Sequence, residues 1–530
     1  MKRTDMLQAP TPRTLNLEDS KAIREVFANA GYTESAVRER SGLLVPPPAE
    51  LTPPSVLEAF ADQDDLFCCL AQLFFLGRTL DSAVARKTLP ASFLRLCCRC
   101  GLLEEHSLKV TPRSLVIPVG DYLMASDLQT LESQDKEGYV PTLCDAALHL
   151  SAVSIRQPVK RVLDLCGGYS LHGMMACEYA ENVYSTDVNP RAEFYARFNA
   201  SLNGYRNLTA VTGDMLSAVR GKKFDLILSN PPFIISPESL TSYRFNPLEL
   251  DGFVRTMFQA IPDYLEDGGY FQTICEWVET EDEDPEERLR GWFLENGCDV
   301  WVLPANRQLP STYAAATLRQ STTDRKELLE KQAEWEAYFA EKKVKAIQGG
   351  FIFMRRRNGA NWFDVTQLTK PIRQQIGDAV RQGFQTRDLL FDPSGDAAIL
   401  NSRLTVAKGT RMVDESSFNG VRWENNSMVL HVDEGIPVSI GIDQYVRSLL
   451  AKFDGSLCVA DCLESFSNQV GLPLESGFAQ GLQITKAMMR TGVLCRQGVR
   501  VVEDSTFVNP IRVHSHGIPA QSPKDTPFSD

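Results

Sequence analysis

No stretch of this chain holds about eighteen apolar residues in a row, so no membrane-spanning helix is expected. The start, Met1-Lys2-Arg3-Thr4-Asp5, lacks the apolar core of a secretory signal, and the cytoplasm is the expected location. Histidine is scarce, six residues without an H-x-x-x-H pair, and Cys97-Cys98-Arg99-Cys100 lacks ligand spacing; no metal site is expected. The thirteen cysteines are odd in number and sit mostly in apolar stretches, which suits reduced core thiols better than a disulfide framework. Positive charge is also in short supply. A net charge of −13 argues against wrapping a long nucleic acid, a contact made mostly by Lys and Arg against phosphate, and leaves open only a local basic patch.

At 530 residues the chain is too long for one ordinary core, and two to four domains are expected. Residues 1–16 are polar and proline-containing, and are expected to be disordered. Residues 17–134 read as short helices, a strand-like pair around Leu108–Ile117, and a connector from Gly120 to Ser133; the pattern is that of a helical, winged-helix-like unit. Its Cys/Leu/Phe-rich stripe and few clustered positive charges favour docking over nucleic-acid binding. Residues 358–508 read as an α+β domain, with strands at Leu404–Val406, Arg411–Val413 and Ser427–Val432 before three helices. That order resembles the winged-helix modules of peptide-chaperone and leader-peptide recognition domains. The tail, 509–530, is expected to be disordered.

Between them, residues 135–357 alternate strand and helix. Val162-Leu163-Asp164-Leu165 runs into Cys166-Gly167-Gly168; Val183–Asp187 and Leu208–Asp214 follow, each ending in an acid; Phe224–Ser229 stops at Asn230-Pro231-Pro232-Phe233. Tyr270–Cys275, Asp299–Leu303 and Phe351–Arg355 bring the count to seven. The alternation predicts a doubly wound, mostly parallel α/β sheet, with ligands at its carboxyl edge. Two prolines end the fourth strand and fix the Asn there. One amide carbonyl and one rigid backbone carbonyl can accept both hydrogens of a planar amino group, with Phe233 as a stacking face. Asn-Pro-Pro alone is also simply a turn. The charged segment Asp324–Lys343 reads as a solvated surface helix.

These motifs, in this order, resemble the class I S-adenosylmethionine-dependent methyltransferases, in the small-methyltransferase branch that modifies planar amino nitrogens of glutamine, adenine or guanine. More narrowly, the chain up to about residue 357 is similar to bacterial methyltransferases with a helical amino-terminal domain, a Ser-Asp-Leu connector (Ser126-Asp127-Leu128) and a Tyr-Arg loop (Tyr243-Arg244). The resemblance implies a seven-stranded Rossmann-like sheet and S-adenosylmethionine as cofactor. It implies that Asp164, Cys166, Gly167 and Gly168 meet the cofactor's amino-acid portion and Asp187, with Val188 beside it, the ribose hydroxyls. Asp214 and Met215 would meet the adenine. Cys166 and Ser170 depart from the usual glycine loop. Cys166 reads as a small filler and not a nucleophile, because methyl transfer to nitrogen needs no covalent intermediate.

Asn230, Pro231, Pro232 and Phe233 are the candidate catalytic residues, and Tyr243, Arg244 and Asp251 the candidate substrate contacts. The acids of Glu276–Glu287 are expected at the same edge, either as a rim repelling phosphate or as an ordinary solvated helix start. A protein or peptide acceptor is favoured. An rRNA or tRNA base, a small molecule, and a non-catalytic binding protein with the same fold stay open as alternatives.

Overall fold

The computed structural model describes residues 11–47, 51–131, 138–237, 244–245, 248–319 and 324–496. Its centre is one mixed sheet of β1 Val159–Leu165, β2 Ala180–Asp187, β3 Leu208–Thr212, β4 Phe224–Ser229, β5 Leu265–Thr280, β6 Cys298–Gln308, β7 Val344–Arg356 and β8 Phe363–Val365. The order is β8-β6-β7-β5-β4-β1-β2-β3. β1 to β5 pair in parallel, and β7 runs antiparallel between β5 and β6. Strands β1 and β4 are continuous apolar runs because both faces of the sheet are covered: Val162, Leu226 and Leu228 enter one core, Leu163, Leu165 and Ile227 another. Helices α1 Asp145–Val153, α2 Leu171–Ala176, α3 Pro190–Asn203, α4 Gly252–Ala260, α5 Pro310–Leu318 and α6 Arg325–Glu341 supply much of that cover.

Seven strands were expected and eight are present. Phe363–Val365 adds in parallel to β6, beyond the expected boundary at 357. Three residues are too few to show a period, and Trp362, Val380 and Phe384 then share a core with Trp301 and Phe353, so packing does not break there.

The second difference is α6. Its charged composition suggests a solvated helix, yet Trp335 and Phe339, four residues apart on one face, are buried against Tyr313, Ile235 and Phe245. The reason lies in the strands. β5, β6 and β7 keep pairing well past the end of β4, out to Glu279 opposite Ala346 and Gln308 opposite Ile347, and α5 and α6 close over that extension.

On the amino-terminal side, helices Ser82–Thr88 and Ala91–Cys100 precede the hairpin Leu103–His106 and Lys109–Pro112, onto which Leu80–Asp81 pairs. The expected connector is largely strand. Tyr122–Asp127 pairs with Ser114–Val119, and all twelve residues are buried, which removes the alternation that would have marked them. Asn199 and Asn203 of α3 bond the backbone of Ala125 and Leu123 on both sides, amide to carbonyl and carbonyl to amide. The amino-terminal core thus runs unbroken into α2 and α3, through Met174, Tyr195 and Phe198.

Residues 11–16, expected to be disordered, are held: the Arg13 N–H donates to the Cys100 carbonyl at 2.7 Å and the Leu15 N–H to the Ser201 hydroxyl at 3.0 Å. The disorder expected for 1–10 and 509–530 falls outside the described residues. In the carboxyl-terminal region Leu404–Val406 pairs with Leu494–Arg496, and strands Thr410–Phe418, Trp423–Val432 and Ser439–Ile442 form a separate sheet ahead of helices 444–450, 459–470 and 474–490. Among the described residues no helix is long and apolar enough to cross a membrane.

Candidate active site

The sheet order reverses between β1 and β4, so the loops leaving these strands diverge and open a crevice at their carboxyl ends. β1 delivers Asp164 fully buried. Its Oδ2 accepts the Ser170 hydroxyl at 3.0 Å and the Gly173 N–H at 2.9 Å, while Oδ1, equally buried, has no hydrogen-bond partner. Burial pushes this carboxyl upward, against the pull of His172, the Gly173 N–H and the Ser170 hydroxyl. Cys166, Gly168 and Ser170 all take positive φ (56°, 55° and 65°), which turns the chain sharply into α2. Gly167 cannot carry a side chain: a Cβ there would stand 2.5 Å from Ser185 Oγ and 2.9 Å from Asp164 Oδ2.

β2 ends in Asp187, whose Oδ2 accepts the Gly168 N–H and whose Oδ1 accepts the Asn189 N–H, both at 2.9 Å. Burial raises its pKa and those two amides lower it. The carboxylate therefore links the glycine turn to the start of α3, at whose mouth Val188 is exposed. After β3, Asp214 is exposed and Met215 packs partly buried against the core beside β4.

β4 ends with Ser229 donating to the Leu165 carbonyl at 2.8 Å, which locks it to β1. Asn230 follows half-buried. Its Nδ2 points at Cys144 Sγ, 3.9 Å away at the start of α1, leaving Oδ1 to accept. Pro231 is buried, and Phe233 lies against the core.

Of the expected substrate contacts, Tyr243 lies outside the described residues. The Arg244 carbonyl accepts the Ile234 N–H at 3.0 Å, which keeps it next to the Asn-Pro-Pro-Phe loop. Asp251 is turned inward. It is buried, bonds the Val278 N–H at 3.0 Å and forms an ion pair with Arg288 at 2.8 Å, so it braces the loop against β5 and offers no carboxylate to the crevice. Of the acids expected as a rim, Glu281, Asp282, Glu283, Asp284, Glu286 and Glu287 are exposed, with Asp282 paired to Lys343 and Glu283 to Arg288. Glu276 and Glu279 stay within β5, with Glu279 in a fork with Arg307, and Asp284 caps helix Pro285–Arg290 through the Glu286 and Glu287 N–H groups, the ordinary helix start.

Residues 144–276 match the family model of the methyltransferase small domain. The central domain is a class I methyltransferase of the small-methyltransferase branch. It is 35% identical over 130 residues to a release factor glutamine methyltransferase of Xylella fastidiosa, which covers 22% of this chain and 47% of that protein. A release factor glutamine methyltransferase of Clostridium acetobutylicum is 28% identical over 149 residues, 26% of this chain and 52% of that protein. A ribosomal protein uL3 glutamine methyltransferase of Bradyrhizobium diazoefficiens is 28% identical over 163 residues, 24% and 49%. The chain spans about half the length of these relatives.

Such a methyltransferase domain takes S-adenosylmethionine, and the crevice fits it. The buried Oδ1 of Asp164, which accepts no hydrogen bond and lies 3.9 Å from His172 Nδ1, suits a cofactor with a cationic amino group, and Asp187 keeps lone pairs for a pair of hydroxyls. Cys166 is a filler: burial pushes its thiol far up, so no thiolate is present to attack. Ser170, the other departure, turns its hydroxyl onto Asp164. Sequence reasoning missed three parts. Gly173 must be glycine because a Cβ would meet Ser170 Oγ at 2.3 Å. The buried pair Arg191–Asp127, joined by the Tyr195 hydroxyl and the Val140 N–H, anchors the extended segment leading into α1. The third part, Glu276 with Tyr313, had no local signal, since its partners lie 37 and 78 residues apart in the chain.

Proposed function

We propose that this protein is an S-adenosylmethionine-dependent N-methyltransferase acting on a side-chain amide nitrogen of a protein or peptide. The observation that carries the reading is Asn230, set rigidly by Pro231 and Pro232 at the end of β4, with its amide nitrogen turned to Cys144 and its Oδ1 left to accept. Two further findings favour a protein over a nucleic acid. The relatives above are named for glutamine methylation in a release factor and in a ribosomal protein. The amino-terminal module also pairs much of its positive charge internally: Arg38 with Glu34, Arg40 with Asp65, Arg86 with Glu105, Lys87 with Asp64, Arg99 with Asp19 and Lys109 with Asp81. A surface of matched charges suits docking of a folded partner better than phosphate binding.

The bound cofactor supplies an electrophilic methyl group on a positive sulfur. Oδ1 of Asn230 and the Pro231 carbonyl accept the two hydrogens of the acceptor amide, placing its nitrogen in line and stabilising positive charge as it grows there. Phe233 gives the planar group a face to lie on. Asp164 and the turn at Gly167 hold the donor end, and Asp187 fixes the ribose. The winged-helix-like flanking modules serve recognition of the acceptor.

The test is transfer of tritiated methyl from S-adenosylmethionine into an extract of source cells lacking this protein, comparing wild type with Asn230→Ala. Protease-sensitive label that the variant fails to produce is expected. Ribonuclease-sensitive label would move the acceptor to RNA, and no macromolecular label would refute the macromolecular reading.

A further inference from the structure

The side chain best placed to join this site, and so far without a task, is Glu276. β4 and β5 run in parallel with Thr273 opposite Ser229, so the next three residues of β5 continue alongside the space that Asn230, Pro231 and Pro232 enter as the chain leaves the sheet. Neighbouring strands lie about 4.8 Å apart, and three residues advance about 10 Å. Side chains on a strand alternate in face. Gln272, four residues before Glu276, points toward α1, accepting the Ile155 N–H at 2.7 Å and donating to the Val153 carbonyl at 2.9 Å. Leu226 and Leu228 share the core with α1, and Asn230 reaches Cys144 at the start of α1. Asn230 and Glu276 therefore stand on one face, at one edge, on adjacent strands.

Glu276 is also held. The Tyr313 hydroxyl of α5 donates to its Oε2 at 2.5 Å and itself accepts the Ile235 N–H, two residues past Phe233, at 3.0 Å. Its Oε1 makes no hydrogen bond among the described residues. Gly349 stands opposite it on β7, where even an added Cβ would only reach ordinary contact with Glu276 Cγ, at 3.7 Å.

Resting on the methyl-transfer reading above, we propose that Glu276 is the acceptor-side base, receiving through Oε1 the proton that the amide nitrogen loses as it is methylated. The sulfur–carbon bond breaks with its electron pair staying on sulfur and the nitrogen–carbon bond forms; as the nitrogen turns tetrahedral, one of its two N–H groups swings from its acceptor to Oε1, and that proton passes to Glu276 and then to water. An amide nitrogen is a poor nucleophile, and a carboxylate beside it supplies what Asn230 and Pro231, which only accept hydrogen bonds, hold in place but do not remove. Burial pushes the Glu276 carboxyl up to about 7, opposed by the Tyr313 hydrogen bond and by Arg244. Gly349 stands opposite it on β7, with Asn306 of β6 beside Gly349, and neither titrates; the neighbouring Cys275 thiol is buried and pushed well up, so it stays neutral. A base is active when ionised, so transfer is lost as pH falls.

The experiment measures methyl transfer into the protein fraction of source cells lacking this protein, from pH 5.5 to 9, with binding of S-adenosylmethionine followed by calorimetry. Wild type should lose rate about tenfold per pH unit below a midpoint near 7. Glu276→Gln should fall about 10²-fold or more at pH 8, lose the acid limb, and keep cofactor affinity. Tyr313→Phe, which removes a bond that favours the ionised carboxyl, should retain transfer with its midpoint moved to higher pH. Tyr313→Phe also stands as the test if Glu276→Gln does not fold. An unchanged acid limb in either variant, or parallel loss of cofactor binding in Glu276→Gln, overturns the assignment. Failure of the underlying reading looks different: wild type itself then transfers nothing, or Asn230→Ala transfers as well as wild type.

Discussion

The two halves of the central sheet build their share of the crevice by different means. On the β1-β2-β3 side, the hydrogen bonds of the two crevice carboxylates span at most 19 residues: Asp164 reaches Ser170 and Gly173, and Asp187 reaches Asn189 and Gly168. On the β5-β6-β7 side, the contacts are long-range. Asp251 meets Arg288, Glu279 meets Arg307, Glu276 meets Tyr313, and the helix pair α5–α6 closes over strands that outrun the rest of the sheet. A donor-binding turn can be written locally because one strand–turn–helix unit makes it. An acceptor wall needs elements brought together by the whole fold.

Breaking the acceptor side alone is the sharpest way to test that division. Trp335→Ala removes a fully buried ring that packs edge-on to Phe245 and tilted against Tyr313, and should cost about 3–5 kcal/mol of stability in denaturant titrations. Below the unfolding transition, methyl transfer should fall while calorimetric cofactor affinity holds. Equal loss of both would mean the halves are one unit. Asn230→Ala comes next, with transfer expected to drop about 10²–10³-fold at saturating cofactor.

That division also explains what was legible in the sequence. β1, β2 and β4 announce themselves by strand patterns closing on Asp164, Asp187 and Asn230, and the topology puts those three at the carboxyl ends of neighbouring parallel strands. α6 misled because charge dominates its composition, and two of its three aromatics, Trp335 and Phe339, decide its burial. Asp251 misled because a carboxylate near a catalytic loop reads the same whether it faces a substrate or an arginine; only Arg288, 37 residues on, tells them apart. The buried hairpin 114–127 lost its period by being covered on both faces, and β8 was too short to have one.

The cofactor side offers the converse break. Asp187→Asn keeps the shape and removes the charge, so S-adenosylmethionine should bind roughly 10–100-fold more weakly, the worth of one hydrogen bond to a charged group. The maximal rate at saturating cofactor should stay near wild type, because Asp187 touches neither the acceptor nor Asn230. A fall in that maximal rate, with affinity unchanged, would place Asp187 on the wrong side of the comparison.

The smallest effect belongs to Cys166→Gly. At φ 56° a cysteine is held where L-residues lose about 1–2 kcal/mol, and glycine would relieve that. Glycine also gives back about 0.5–1 kcal/mol through the freedom of the unfolded chain. The two nearly cancel, so stability should shift by under about 1 kcal/mol. Transfer should persist, since a thiol kept protonated by burial has no covalent step to perform. Loss of transfer in a stably folded Cys166→Gly protein that still binds cofactor would contradict the local account of the donor half, because the glycine loop would then be contributing chemistry in addition to shape.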